Sequence, residues 1–189
     1  MSDGYHRRMA TYSARDIAAD LRRRLPGVPA KKLHKLLYYA QGHHLATFGE
    51  PLFKESISAW DMGPVVGQLW YAETQDGPAE MVDELAEAAL NTVGYVVSRY
   101  GRLNGGELER LTHGEAPWIE ADVARRETRS RTQRIEPEAI RAYFAAAPDA
   151  EDDSVIPLDP HQVDVWLEDS EPRHERSWDS AESLLARLQ

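Results

Sequence analysis

The chain has 189 residues, 42% of them hydrophobic, which suits one ordinary domain with its own core plus an appended segment and excludes two fused enzymes. It contains no cysteine, which excludes disulfides and zinc–thiolate sites and predicts a reducing, cytoplasmic setting. The net charge of -10 is uneven: residues 148–189 hold 12 acidic residues and 3 arginines, a net -9, which argues against nonspecific nucleic-acid binding by the whole chain.

The first two predicted elements are helices. Ser13, with Asp16 three residues later, has the spacing of an N-cap, and Pro26 with Gly27 ends the pattern. Pro29 suits the opening turn of a second helix that ends at Gly49. The broad apolar face of this second helix predicts that it is mostly buried. That face is formed by Leu33, Leu36, Leu37, Ala40 and Phe48.

The next elements are a short strand pair and two more helices. The pattern shifts toward period two between residues 51 and 60, which predicts the strand pair. Gly63 and Pro64 are expected to open a third helix, with Val65, Val66, Leu69 and Trp70 on one side, that ends at the Asp-Gly-Pro turn of residues 76–78. A strong 3.6-residue period over residues 85–100 predicts a fourth helix that stops at Gly101.

The remaining elements complete a helical domain. Asn104 and Glu107 have capping-box spacing and predict a short fifth helix. Pro117 starts a further helical turn, and Pro137 starts a last helix that closes the core through Ile140, Tyr143 and Phe144. The expected fold is mainly α (α+β), a compact helical domain with a small antiparallel β element and an acidic C-terminal extension.

Three regions are predicted along the chain. Residues 1–12 form an N-terminal arm, residues 13–147 the domain, and residues 148–189 the acidic extension. The extension carries Trp166 and Trp178 as apolar anchors, and it is interpreted either as a solvated segment or as one that folds on a basic protein partner. No segment has the 18 to 20 apolar residues that a membrane span requires.

No convincing catalytic or metal-binding set is present in the sequence. Adjacent His43 and His44 point about 100° apart on a helix, so we expect one half-buried and one exposed histidine and no metal site. There is no nucleophilic cysteine and no G-x-S-x-G motif. His113 and Glu115 could form an acid–base pair, but such groups in a connector more often cap or hydrogen-bond. We therefore expect a non-enzymatic protein without cofactors, and a hydrolase is the weaker alternative.

Basic residues cluster in three places, at residues 22–24, at residues 31–35 and at residues 125–134. The last cluster is the densest and could meet phosphates. The favoured interpretation is that the cluster has no function, and the next is that it docks onto a protein partner or onto the acidic extension. Nucleic-acid binding stays open as a minor alternative.

The stretch "KLHKLLYYAQGHHLATFGEPLFKESISAWDMGPVV", preceded by "SARDIAADL" and followed by "LTHGEAPW", resembles the Panacea domain of SocA-like antitoxins and phage-associated proteins. The motifs that occur together are a tyrosine pair with Gln41, a "G-x-PLF" step, an Ala-Trp pair and a Gly-Pro-Val step. The resemblance spans Tyr12 to Trp118 and is expected to reach Phe144.

The resemblance implies an antitoxin of a type II-like toxin–antitoxin system, with a role in phage defence, that neutralises a cognate protein toxin encoded by an adjacent gene by binding it directly. An adaptor that delivers the toxin to a ClpXP-type protease is a variant of this function. A DNA-binding transcriptional regulator and a phage-associated interaction protein are the alternatives. The predicted partner-binding residues are Tyr38, Tyr39, Gln41, Trp60, Gly63, Pro64, His113, Glu115, Trp118, Trp166 and Trp178. For the two tyrosines and Trp60, core packing and partner contact are equally favoured.

Overall fold

The fold is a set of helices arranged around one central helix, with a small sheet at its side. The computed structural model describes residues 11–78 and 84–146. The helices there are α1 (Ala14–Arg24), α2 (Ala30–Phe48), α3 (Gly67–Asp76), α4 (Glu87–Tyr100), α5 (Gly105–His113), α6 (Ala116–Glu127) and α7 (Pro137–Ala146). The strands are β1 (Ser58–Trp60), β2 (Gly63–Val65) and β3 (Gln133–Arg134). The predicted mainly helical fold with a small antiparallel element is confirmed.

Helix α2 is the centre of the domain. It packs against α1, α4, α5, α7 and β2, and every residue from 33 to 42 is buried. A helix covered on all sides shows no exposed face, so its amphipathic pattern does not identify a surface. Phe48, predicted on the buried face, is instead 41% exposed in the last turn of α2.

The predicted helix ends are confirmed where local chemistry sets them. The Ser13 hydroxyl accepts from the Asp16 N–H, and Asn104 with Glu107 forms a complete capping box at the start of α5. Gly49 adopts the left-handed conformation, with φ of +77°, that ends α2. These ends depend on a few neighbouring residues, so the sequence alone predicts them.

The sheet corrects two predictions. Its strand order is β2-β1-β3, and both pairs are antiparallel. Gly63 and Pro64 therefore do not open a helix. They pair with Trp60 and Ala59 in the sheet, and Gly63 has a φ of +103°, which no helix accepts. The strand partner of β1 thus follows residue 60 instead of preceding it, and β3 was not predicted.

The two ends of the described region also refine the layout. Tyr12, assigned to the N-terminal arm, is buried, and its backbone bonds to Leu52 and Lys54, so the packed region begins before Ser13. Helix α6 has 12 residues, more than the single turn expected after Pro117. Helix α7 ends at Ala146. The arm's first ten residues and the acidic extension lie outside the described residues.

Candidate functional site

A groove of about 760 Å³ lies between the start of α2, the β1–β2 hairpin, helix α3 and the loop that follows α6. Its walls carry Trp60, Met62, Trp70 and Tyr71, and buried His34 and Lys35 also line it. We call this feature the aromatic groove. Four segments that are distant in the sequence build it, so no single motif encodes it.

The walls of the aromatic groove are unusually apolar for an exposed surface. Met62 is 59% exposed, Trp70 37% and Tyr71 62%. The rings of Trp60 and Trp70 meet edge to face at 5.5 Å between centroids, and those of Trp70 and Tyr71 at 5.1 Å. Such pairs form a continuous aromatic surface, and exposed apolar patches of this kind mark interaction sites.

An ion-pair network fixes the hairpin that carries Trp60 and Met62. Arg125 of α6 is buried and donates from Nε and Nη2 to Asp122 Oδ1 at 2.9 and 2.6 Å. Its Nη2 also donates to Asp61 Oδ1, in the hairpin turn, at 2.6 Å. The guanidinium therefore ties α6 to the tip of the hairpin, and this pairing raises the pKa of Arg125.

Close approach of the hairpin to α2 requires a glycine at position 63. A Cβ added there would lie 2.7 Å from Lys35 Cε and 3.1 Å from Thr112 Oγ1. With a φ of +103°, the backbone is also in a region that side chains other than hydrogen disfavour. Gly63 and Pro64 are both buried. The structure therefore gives them a structural role beneath the groove, which corrects the prediction that they contact a partner directly.

Two buried titratable side chains line the groove. The Nδ1 atom of His34 accepts from the Val66 N–H at 3.3 Å, and burial, aided by the Lys35 charge, lowers the pKa of His34 to about 4. Burial also lowers the pKa of Lys35 to about 8, although the Glu109 carboxylate opposes the shift. At neutral pH the groove therefore contains a neutral imidazole beside a desolvated ammonium group.

The tyrosine pair belongs to the core and not to the surface. Tyr38 is 0% and Tyr39 1% exposed, and Tyr39 stacks on Tyr100 at 4.0 Å between centroids. The Tyr39 hydroxyl donates to Glu115 Oε1 at 2.9 Å. Burial raises the pKa of Glu115 to about 6 and raises the pKa of both tyrosines of the pair. Tyr38, Tyr39 and Glu115 are all buried, Glu115 at 8% exposure, which corrects the prediction that they are contact residues.

Gln41 connects α2 to the segment that follows it by hydrogen bonds inside the domain. Its Oε1 atom accepts from the N–H groups of Leu52 and Phe53 at 3.0 and 3.1 Å, and its Nε2 donates to the Phe53 carbonyl at 3.1 Å. These bonds hold the "PLF" step against α2. Gln41 is buried, which corrects the prediction that it contacts a partner directly. Its role is to position the neighbouring backbone.

The structure gives His113 and Glu115 different neighbours. The imidazole of His113 stacks on Trp118 at 3.8 Å between centroids and 11° between planes, and burial lowers its pKa. Glu115 bonds instead to Tyr39, so the two side chains do not form the acid–base pair considered for a hydrolase. Trp118 is 6% exposed, so it packs in the core, whereas His113 is half-buried. Trp166 and Trp178 lie outside the described residues.

Many basic side chains are engaged by acids of the same domain. Arg22 forms a bidentate pair with Glu73 at 2.7 and 2.8 Å, and Lys31 pairs with Glu109. Arg126 pairs with Asp122 at 2.7 Å. These ion pairs neutralise much of the positive charge that a nucleic-acid interface would need.

Adjacent His43 and His44 both have partners within the fold. His44 is buried and its Nδ1 lies 2.8 Å from Thr92 Oγ1, while half-buried His43 lies 3.0 Å from the Tyr100 hydroxyl. The expectation of an exposed histidine is therefore wrong.

Within residues 11–78 and 84–146, no group of three His, Asp or Glu side chains is placed to hold a metal ion. No helix of the same residues has the length and apolarity of a membrane span.

Sequence reasoning identified Trp60 but missed most of the aromatic groove. Met62 would have been a usable signal only if the hairpin had been predicted, because an apolar side chain in a two-residue hairpin turn has no core to enter. The sequence places Lys35 in a cluster of basic residues at 31–35, and nothing in that cluster indicates its burial. Trp70 and Tyr71 are ordinary members of a helical pattern, and only the fold places them beside the hairpin.

Comparison with known proteins agrees with the motif analysis. Residues 33–119, a little under half of the chain, match the family model described as "Antitoxin SocA-like, Panacea domain". No curated protein and no solved structure gives a significant match. The matched range contains Lys35, the hairpin and α3, and therefore most of the aromatic groove. Residues 33–119 of this chain therefore match the Panacea domain of SocA-like antitoxins.

Proposed function

We propose that the protein is an antitoxin that neutralises a cognate protein toxin, encoded by an adjacent gene, by binding it at the aromatic groove. The antitoxin family supplies the class of partner. The observation that carries the proposal is the convergence of three exposed apolar side chains, Met62, Trp70 and Tyr71, on one groove. Aromatic residues and methionine are enriched at the centres of protein interfaces, and tryptophan and tyrosine are frequent among the few residues that carry most of the binding energy.

Binding without catalysis is the mode of action that we propose. The groove presents apolar rings, one buried ammonium group and a neutral histidine, and the His113–Glu115 alternative has no assembled pair. Inhibition then follows from covering a functional surface of the toxin. On this proposal the protein acts in the cytoplasm, where the toxin is also made.

The test is co-expression with the protein encoded by the neighbouring gene. Tyr71→Ser and Met62→Ser should each weaken toxin binding by about 30-fold, which corresponds to about 2 kcal/mol for an interface anchor. Toxin-dependent growth arrest should return in the double variant. Leu111→Ser and Val123→Ser are matched controls, because these side chains are 46% and 50% exposed but lie outside the groove.

The result would contradict the proposal if the groove and control variants protected cells equally. It would also do so if no neighbouring gene product bound the purified protein. DNA binding is separated by its salt dependence: a reader that uses several arginines loses affinity steeply as salt rises, whereas an apolar groove does not.

A further inference from the structure

Three residues that line the aromatic groove carry hydrogen-bond donors with no acceptor among the described residues. Trp60 Nε1 and His34 Nε2 are buried without a hydrogen-bond partner. The Lys35 ammonium group, on a side chain that is 1% exposed, forms neither a hydrogen bond nor a salt bridge with a residue of the described ranges, although the Glu109 charge acts on it from nearby. Buried polar groups are normally satisfied, so three together call for an explanation.

The hydrogen bonding of His34 fixes its role as a donor. Its Nδ1 accepts the Val66 N–H at 3.3 Å, so in the neutral ring the proton sits on Nε2. An indole nitrogen donates only, and an ammonium group donates only. All three groups therefore seek an acceptor, and one of them carries a positive charge.

We propose that these groups form a subsite for a carboxylate side chain of the protein partner, with Lys35 as its counter-ion and Trp60 and His34 as further donors. The inference rests on the proposed function, because the carboxylate arrives with the toxin. A carboxylate has two oxygens with about four acceptor positions, which suits three donors, and its single negative charge matches the single unpaired ammonium group.

The surroundings favour a carboxylate from a protein over the phosphates of a nucleic acid. Two of the other cations that line the groove are engaged, since Lys31 pairs with Glu109 and Arg125 pairs with Asp122 and Asp61, and only exposed Arg131 adds a further charge among the described lining residues. A chain of phosphates would need several free cations along its length, which these internal ion pairs do not leave. The apolar walls suit a partner side chain with an acidic end, which a protein surface supplies.

The first experiment uses acetate as the probe and the full-length, ¹⁵N-labelled protein. At constant ionic strength, acetate should shift the Trp60 indole N–H resonance saturably, and Trp60→Phe assigns that resonance. Lys35→Met should weaken the response at least about tenfold while the remaining spectrum reports an intact fold. Lys32→Met is the matched control, because Lys32 lies on the same helix but donates to the Gly101 carbonyl outside the groove.

Three outcomes would overturn the subsite: no indole shift with acetate, an equal shift in Lys35→Met, or tighter binding of inorganic phosphate than of acetate.

The second experiment measures toxin affinity by calorimetry. Lys35→Met should weaken it about 30-fold, since loss of one partner from a buried charged pair costs at least about 2 kcal/mol. Unchanged affinity would remove the subsite and leave the proposed function standing. A wild-type protein that binds no toxin would instead refute the proposed function, while the acetate titration still judges the subsite.

Discussion

Replacing Lys35 with methionine should stabilise the protein although it weakens binding. Burial lowers the pKa of Lys35 from its ordinary value of 10.5 to about 8, so the folded state holds this proton less well than the unfolded chain does. Each pKa unit corresponds to about 1.36 kcal/mol, so the charged side chain costs about 3 kcal/mol of folding stability at pH 7. Methionine keeps the length and apolar stem of lysine and removes that cost.

The sign of the pH dependence follows from the same shift. A lysine with a lowered pKa contributes its full stability above pH 10.5, and this stability is lost as the pH falls through 8. The wild-type protein should therefore gain about 1 kcal/mol between pH 7 and pH 9, and Lys35→Met should lack this gain. The tyrosines with raised pKa values stay protonated over this range and do not interfere.

Urea denaturation followed by circular dichroism at pH 7 and pH 9 measures both effects. Lys32→Met serves as the control, since Lys32 has no comparable burial, and it should show the wild-type pH dependence. Glu109 keeps its partner Lys31 in the Lys35 variant, so no new unpaired charge arises. A Lys35→Met protein less stable than wild type at pH 7 would refute the reasoning, as would an unchanged gain between pH 7 and pH 9.

Further predictions concern stability at single positions. The pKa of His34 is lowered to about 4, so its contribution to stability is full above pH 6.5 and is lost as the pH falls through 4. The variant His34→Asn keeps an acceptor for the Val66 N–H but does not titrate. Between pH 7 and pH 5 it should therefore lose about 2 kcal/mol less stability than the wild type, as measured by urea titrations. Gly63→Ala should cost about 2 kcal/mol or more by thermal and chemical denaturation, because its new Cβ meets Lys35 at a φ of +103°. Asn104→Ala should cost about 1 kcal/mol by the same measurements, because it removes the capping box of α5.

Internal controls make these outcomes decisive. His44 has a similarly lowered pKa in wild type and in His34→Asn, so its contribution cancels from the comparison. Gly67→Ala is the control for Gly63→Ala, because Gly67 is in a helix and a Cβ there has its nearest contact at an ordinary 3.8 Å. Equal stability losses in the two alanine variants would contradict the argument for Gly63.

The secondary structure was predictable where it depends on neighbouring residues. The Ser13 and Asn104 caps, the left-handed Gly49 and the period of α4 are local features, and the structure confirms each of them. The motifs also led to the Panacea family without any knowledge of the packing. Local hydrogen bonds and backbone preferences act within a few residues, which is why they can be recognised in a sequence.

The location of the candidate site was decided by tertiary packing. Helix α2 is enclosed by neighbours on every side, so its tyrosines, which could equally have been anchors, became core residues. Strand β3 pairs with β1 across more than 70 residues, and the aromatic groove joins four separate segments. Whether an apolar or charged side chain is buried depends on which distant elements pack against it. The residues that flank Lys35 or Tyr71 in the sequence do not indicate which elements those are.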